Sequence, residues 1–302
     1  MEGASTETTG ETQNEETDSP WQGVIDSLKT VRPHYLIGVS ESVAIILLML
    51  SIVFLTMNIC RIWKSPNKRG SMFGKVIIGL STVLLTGYVC KLIFVVILFS
   101  QADDDIKRVS DAVDNLLNIF NFFFAAFYMS SFIWINVFCF EVYYSFRCIQ
   151  KSLNHTNESH ASRFIKFSVY AASVPVLCTI FAGSCSFRAL ETLIIMSVFG
   201  LVFTCVITTI ANIVLLIMTT IVKRDVRFPH SHQENTFDFH WRMVRIFFLI
   251  FGVAGLLQVC FIISLLAGYQ SGIISSLASL LVLLKGFLVS VIYMRGDRIQ
   301  NV

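Results

Sequence analysis

Charged side chains are scarce in this 302-residue chain, 14% of the total against about 25% in an ordinary globular domain. The scarcity is concentrated. No charge occurs between Asp114 and Glu141, and none between Glu191 and Lys223. A helix needs about 20 apolar residues to cross roughly 30 Å of hydrocarbon, so either stretch is long enough to span. With 55% hydrophobic residues, a water-soluble fold of this size would leave too little polar surface to cover it. Period-two alternation is also lacking, which excludes a membrane β-barrel. In lipid the backbone must then satisfy itself as helix.

Catalytic motifs are missing as well. There is no Walker loop, no His-Glu-x-x-His helix, no Gly-x-Ser-x-Gly elbow and no Cys/His cluster at zinc spacing, so the chain is expected not to be an enzyme and to need no cofactor. His230, His232 and His240 are neighbours in sequence but lack the companion ligands of a metal site. Nothing at the amino terminus has the basic start and apolar core of a secretory signal. No internal repeat of the transporter kind is visible.

What is present is a series of seven apolar runs between Tyr35 and Met294. They cover Ser42 to Cys60, Val76 to Leu98 with Lys91 inside, the two uncharged stretches, Phe167 to Phe187, Ile246 to Ala267, and a last run after Gly268-Tyr269-Gln270-Ser271-Gly272 with Lys285 inside. The expected fold is an all-α, seven-transmembrane helix bundle. Residues 1–34 form an acidic, disordered extracellular tail by composition, residues 35–294 the seven-helix domain, and residues 295–302 a short cytoplasmic tail.

Orientation follows from the basic residues. Arg61, Lys64, Lys68, Arg69, Lys75, Arg147, Lys151, Arg163, Lys166, Lys223, Arg224, Arg227, Arg242, Arg245, Arg295 and Arg298 fall on one side; Lys29, Arg32, Lys107, Arg108 and Arg188 fall on the other. The positive-inside rule puts the richer side in the cytoplasm, and so the amino terminus outside. Two sequons, at Asn154 and Asn157, then lie inside and are expected to carry no glycan. Anionic lipid accounts for the basic inner face without nucleic acid. Of eight cysteines only Cys185 clearly faces the oxidising side, too few for a bridge within the outer loops.

The third run, Phe122 to Arg147, has an aromatic-rich first half, then Trp134, Asn136, Val137, Phe140, Glu141, Phe146 and Arg147. This spacing resembles the third helix of the methuselah-like receptors of insects, a branch of the secretin/adhesion class of G-protein-coupled receptors. Asn67, Gly74-Lys75, Arg163-Phe164-Ile165 with Pro175, Phe248 to Val253, and Leu284-Lys285-Gly286-Phe287 with Tyr293 line up in the same order as the family's corresponding segments. Lys285 stands where the class usually has Gln, and Glu141 where it has Asp. Ala172-Ser173 and Ala254-Gly255 replace expected tryptophans, no cysteine stands near Leu117, and the 34-residue tail is not the family's cysteine-rich ectodomain.

The resemblance implies a multi-pass plasma-membrane receptor that passes an outer-face ligand signal to heterotrimeric G proteins. Asn136, Glu141, Arg147 and Lys285 would form an inner polar network. Glu141 is expected to hold Arg147 or a residue of the sixth run. Lys285 is expected to turn toward Asn136, Glu141 or water. Arg147, Lys151, Lys223 and Arg224 would face the G protein. Trp134, Pro175, Gly252 and Gly286 would pack helices. Lys91 would pair with Glu41 or snorkel to the outer interface, and Asn58, Asn212 and Gln258 would bond between helices. Asp103, Asp104, Asp105, Asp111 and Asp114 in the outer loop favour a cationic or polar ligand. The rival readings are a ligand-gated chemoreceptor channel of inverted topology, whose Thr-Tyr and Gln-Phe signature is absent from Ser279 to Met294, and a non-signalling scaffold or decoy.

Overall fold

The structure is a computed structural model that describes residues 39–102, 111–150, 160–184, 189–225, 231–266 and 272–300. The tail 1–34, Asp103, Asp104 and Asp105 of the outer loop, Lys151, the two sequons and Cys185 lie outside the described residues, whereas Asp111 and Asp114, expected in that loop, belong to the first turn of a helix that opens at Asp111. All described elements are helices: α1 (Val39–Lys64), α2 (Pro66–Gly70), α3 (Met72–Ala102), α4 (Asp111–Gln150), α5 (His160–Ser184), α6 (Ala189–Asp225), α7 (Ser231–Leu266) and α8 (Gly272–Gln300). The last helix continues six residues past Met294, where the sequence alone placed its end.

Five of these helices are long and apolar enough to cross a membrane over their described residues: Val43–Lys64, Met72–Ile97, Phe122–Cys148, Val202–Arg224 and Asp238–Leu257. The protein is therefore a multi-pass helical membrane protein. Helix α6 displays the solvent it was built for. Phe203, Ile210 and Ile217, two turns apart, are 68%, 57% and 56% exposed, whereas Thr204, Thr208, Asn212 and Thr219 are buried. That arrangement is inside-out for water and correct for lipid, where polar groups belong in the bundle. Thr208 and Thr219 hydroxyls also donate to the carbonyls of Thr204 and Leu215, at 2.6 Å each, so neither hydroxyl leaves its donor to the hydrocarbon.

Helix α4 is the axis of the bundle. It packs on α3, α5, α6 and α7, and α1 closes the ring by packing on α3 and α8. Over an 18-residue window, about the length that crosses a membrane, 67% of its residues are buried, against 22% for α1. Its aromatic residues explain that position: Phe138 meets Phe73 of α3 and Phe247 of α7, Phe132 meets Phe251 of α7, and Phe140 meets Phe167 of α5, with ring centroids 5.5–6.1 Å apart. Edge-to-face and offset pairs of this kind stabilise by about 0.5–1.5 kcal/mol each beyond area burial. Trp134 lies in a slot made by Gly79 of α3, where an added methyl would come 2.5 Å from the indole, and it is flanked by Phe164 of α5.

The turn from α1 to α3 is local chemistry. Pro66 opens α2, where its missing N–H costs nothing. Ser71 then caps α3: its Oγ accepts the Gly74 N–H at 3.0 Å and donates to the Lys68 carbonyl at 2.8 Å. A side chain at Gly74 would run into that same carbonyl. Gly74 and Lys75 accordingly sit in the first turn of α3.

Candidate functional site

Three polar contacts are strung along α4 at intervals of five residues, about 7.5 Å of helix axis each. The first lies deepest. Lys285 of α8 is fully buried, and its Nζ donates to Ser131 Oγ at 3.1 Å. The rest of the ammonium is enclosed by ring faces: Tyr128 at 3.7 Å, Phe251 at 4.1 Å and Phe132 at 4.7 Å from the centroids. No carboxylate of the described residues reaches it. A lysine at a membrane-helix centre costs about 2.5–3.5 kcal/mol, and a desolvated cation–π contact recovers about 2 kcal/mol, so several rings are needed where an acid is absent.

At the second level Asn136 Nδ2 donates to Asn212 Oδ1 of α6 at 3.1 Å, while Tyr170 of α5 donates to Asn136 Oδ1 at 3.4 Å. The third is an ion pair. Arg163 of α5 meets Glu141 at 2.6 Å with both side chains buried, and its guanidinium lies 4.3 Å over the Tyr144 ring. Arg163 is thereby held from two sides by residues of one helix turn.

Helix α8 is fastened at the level of Lys285 by two hydroxyls. Tyr88 of α3 donates to the Val282 carbonyl at 2.6 Å and accepts the Gly286 N–H at 3.1 Å. Ser51 of α1 donates to the Leu283 carbonyl at 2.5 Å and accepts the Phe287 N–H at 3.2 Å. Each hydroxyl thus bridges the donor and acceptor that a regular helix pairs across four residues. Glycine at 286 is required for the approach, since a methyl there would fall on the Tyr88 ring.

The sequence-predicted residues are partly brought together. Glu141 is held by Arg163 of α5, not by Arg147, which is exposed. Six residues turn a helix through about 240°, so Arg147 leaves α4 in another direction. Lys285 meets Ser131 rather than Asn136 or Glu141; the latter lies ten residues, about 15 Å, further along α4. Lys223 is tied to Asp238 at 2.5 Å across the α6–α7 connection, and Arg224 beside it is exposed. Lys91 lies over the rings of Phe94 and Phe124, at 4.4 and 5.4 Å.

Among the packing residues, Trp134 and Gly286 are close-packed. Gly252 is not: a methyl there would meet nothing within 4 Å, and the tight glycine of α7 is Gly255, 3.2 Å from Phe132. Asn58 donates to Ser81 of α3 at 3.2 Å, and Asn212 bonds as expected between helices. The side chains of Pro175, Gln258 and Glu41 lie outside the described residues. His240 stacks on Phe73 at 3.9 Å, and among the described residues no three metal-ligating side chains converge.

No family model and no curated protein matches this chain. The site must speak through its own chemistry. Its parts are a buried ion pair, an amide pair and a caged ammonium, each joining α4 to a different set of helices. Spacing reasoning missed Arg163, Tyr144, Ser131, Tyr128, Phe251, Tyr88 and Ser51. One signal was available: Phe124, Tyr128 and Phe132 recur every four residues, the mark of one aromatic stripe on a helix.

Proposed function

We propose that this chain is a seven-helix plasma-membrane receptor of the methuselah-like type, in which α5 and α8 complete the count of spans and the amino terminus is outside. It passes a change at the outer ends of the helices to a heterotrimeric G protein at the basic inner ends. The Glu141–Arg163 pair carries this reading: a buried ionic contact between the axial helix and α5 sits one to two turns from Arg147, at the end of the bundle richest in Lys and Arg. Such a pair has two discrete states, made and broken, and an outer ligand biases them only through unequal affinity. Moving the balance from 1:99 to 99:1 needs about 5.5 kcal/mol of difference.

The test is co-expression with a panel of labelled heterotrimers, read as a nucleotide-sensitive interaction. The reading expects a response from at least one heterotrimer, weakened by Arg147→Glu and Arg224→Glu with surface expression retained. An epitope tag before Tyr35 should stain unpermeabilised cells. A cation current with no heterotrimer response, together with glycans at Asn154 and Asn157, would establish the inverted channel instead.

A further inference from the structure

The face of α1 that meets hydrocarbon ends in two unlike side chains. Ile46, Leu50, Val53, Met57 and Cys60 recur every three or four residues and are all exposed, which marks one lipid-facing stripe. The next members of the series are Trp63, 60% exposed, and Lys64, also exposed. A tryptophan at such an end sits at headgroup level, with its apolar body toward the acyl chains and its indole N–H in the wet layer. The chain then turns back through α2, and Arg69 comes over the same ring, its Cζ 5.5 Å from the indole centroid. Two cations thus flank one indole, Lys64 as its neighbour in the chain and Arg69 by folding. Neither meets a carboxylate among the described residues, whereas Arg163 and Lys223 each have one. The chain supplies none locally, since no Asp or Glu occurs from Ser42 to Ala102.

We propose that the α1–α2 turn binds the phosphate-bearing headgroup of an anionic phospholipid, with Lys64 and Arg69 donating to its oxygens beside Trp63. The guanidinium matches a phosphate through its planar fork of N–H donors, and the ammonium adds a point charge. An acidic protein surface is the other partner that exposed cations of this kind could take. Lipid is favoured by position: the turn directly continues a stripe that faces hydrocarbon, so a headgroup whose chains lie along α1 arrives at Lys64 and Arg69 without leaving its leaflet. Folding of Arg69 onto the indole also holds that side chain at headgroup level before any lipid binds, which lowers the ordering cost of the contact. The site does not depend on the receptor reading, and its test uses no G protein.

The experiment is tryptophan fluorescence of the purified full chain in phosphatidylcholine vesicles that contain either brominated phosphatidylserine or brominated phosphatidylcholine, whose bromines quench an indole they touch. Trp63→Phe sets the background from the other tryptophans, and each variant is normalised to its own unquenched emission. The expected result is that Trp63 is quenched at a lower mole fraction of the serine lipid than of the choline lipid. Arg69→Gln and Lys64→Gln, both at exposed positions, should each lower that preference about fivefold, the equivalent of about 1 kcal/mol per basic residue near an anionic surface, and the double variant should erase it. Arg245→Gln removes the same charge from α7 and should leave the preference intact. Equal quenching by the two lipids in the wild type overturns the site, and a shift of Trp63 emission by polyglutamate in its place assigns the turn to an acidic protein. A preference that Arg245→Gln lowers as much as Arg69→Gln overturns it as diffuse attraction. Loss of the preference in millimolar inorganic phosphate at fixed ionic strength overturns the lipid in favour of a free phosphate.

Discussion

Glu141 and Lys285 are charged side chains taken out of water in the same bundle, and they are accommodated by opposite means. Glu141 has a partner of opposite charge, Arg163, with Tyr144 beneath it. Lys285 has one neutral hydroxyl and three aromatic faces. The first arrangement is strong only while both members are present, because removing one leaves an uncompensated charge. The second loses little when the charge itself is removed, because hydrophobic walls suit a neutral side chain. An ion pair is therefore a contact the bundle depends on, whereas the cage is a place where a charge is tolerated for some other reason.

The largest expected effect follows from splitting the pair. Arg163→Met should destabilise by about 3–5 kcal/mol, read as melting temperature or as loss of surface expression. Glu141→Gln added to it should restore much of that loss. If the double variant is no better than the single one, the two charges are not each other's partner. Next comes the lysine itself: Lys285→Met, similar in length and uncharged, should be neutral or stabilising by up to about 4 kcal/mol, by analogy with buried ions replaced by apolar side chains. A loss greater than about 1 kcal/mol would put the cage in the same class as the pair and break the contrast. Lys285→Asp should express poorly for a reason unrelated to Glu141, since a carboxylate would face the negative π-faces of three rings.

How much of this was legible in advance divides along the same line. The helices followed from uncharged length: residues 122–148 and 202–224 could be nothing else in lipid. The burial of Lys285 also followed, from its place inside an apolar run. Its partners did not, because a cage is made of residues that any membrane helix contains, and the four-residue recurrence of Phe124, Tyr128 and Phe132 marked only two of them, Tyr128 and Phe132. Arg163 was hidden differently. It reads as one more basic residue at a helix end, yet the turns preceding Phe164 and Phe167 carry it beneath the edge of α4, where it is 7% exposed. Proximity in sequence favoured Arg147, and helical geometry overruled it.

Smaller effects sharpen the account of the cage wall. Gly255→Ala would bring a methyl to 3.2 Å from Phe132, displacing one of the three rings, at a cost of about 1–3 kcal/mol for overpacking. Gly252→Ala, one turn away on the same helix, meets open space. It should gain up to about 1 kcal/mol from helix propensity alone. Melting temperatures of the two variants measured side by side check both, and equal shifts would mean that Phe132 is free to move aside.

The two hydroxyls that fasten α8 bear on how the molecule is able to move. Sliding α8 by a single residue, about 1.5 Å along its axis, would put Tyr88 and Ser51 out of register with four backbone groups at once and carry Gly286 away from the ring it accommodates. Helices α1, α3 and α8 are in this sense yoked, and they tilt or shift together or not at all. Relative motion falls instead to α5 and α7, which pack less extensively on the axial helix than α3 and α6 do.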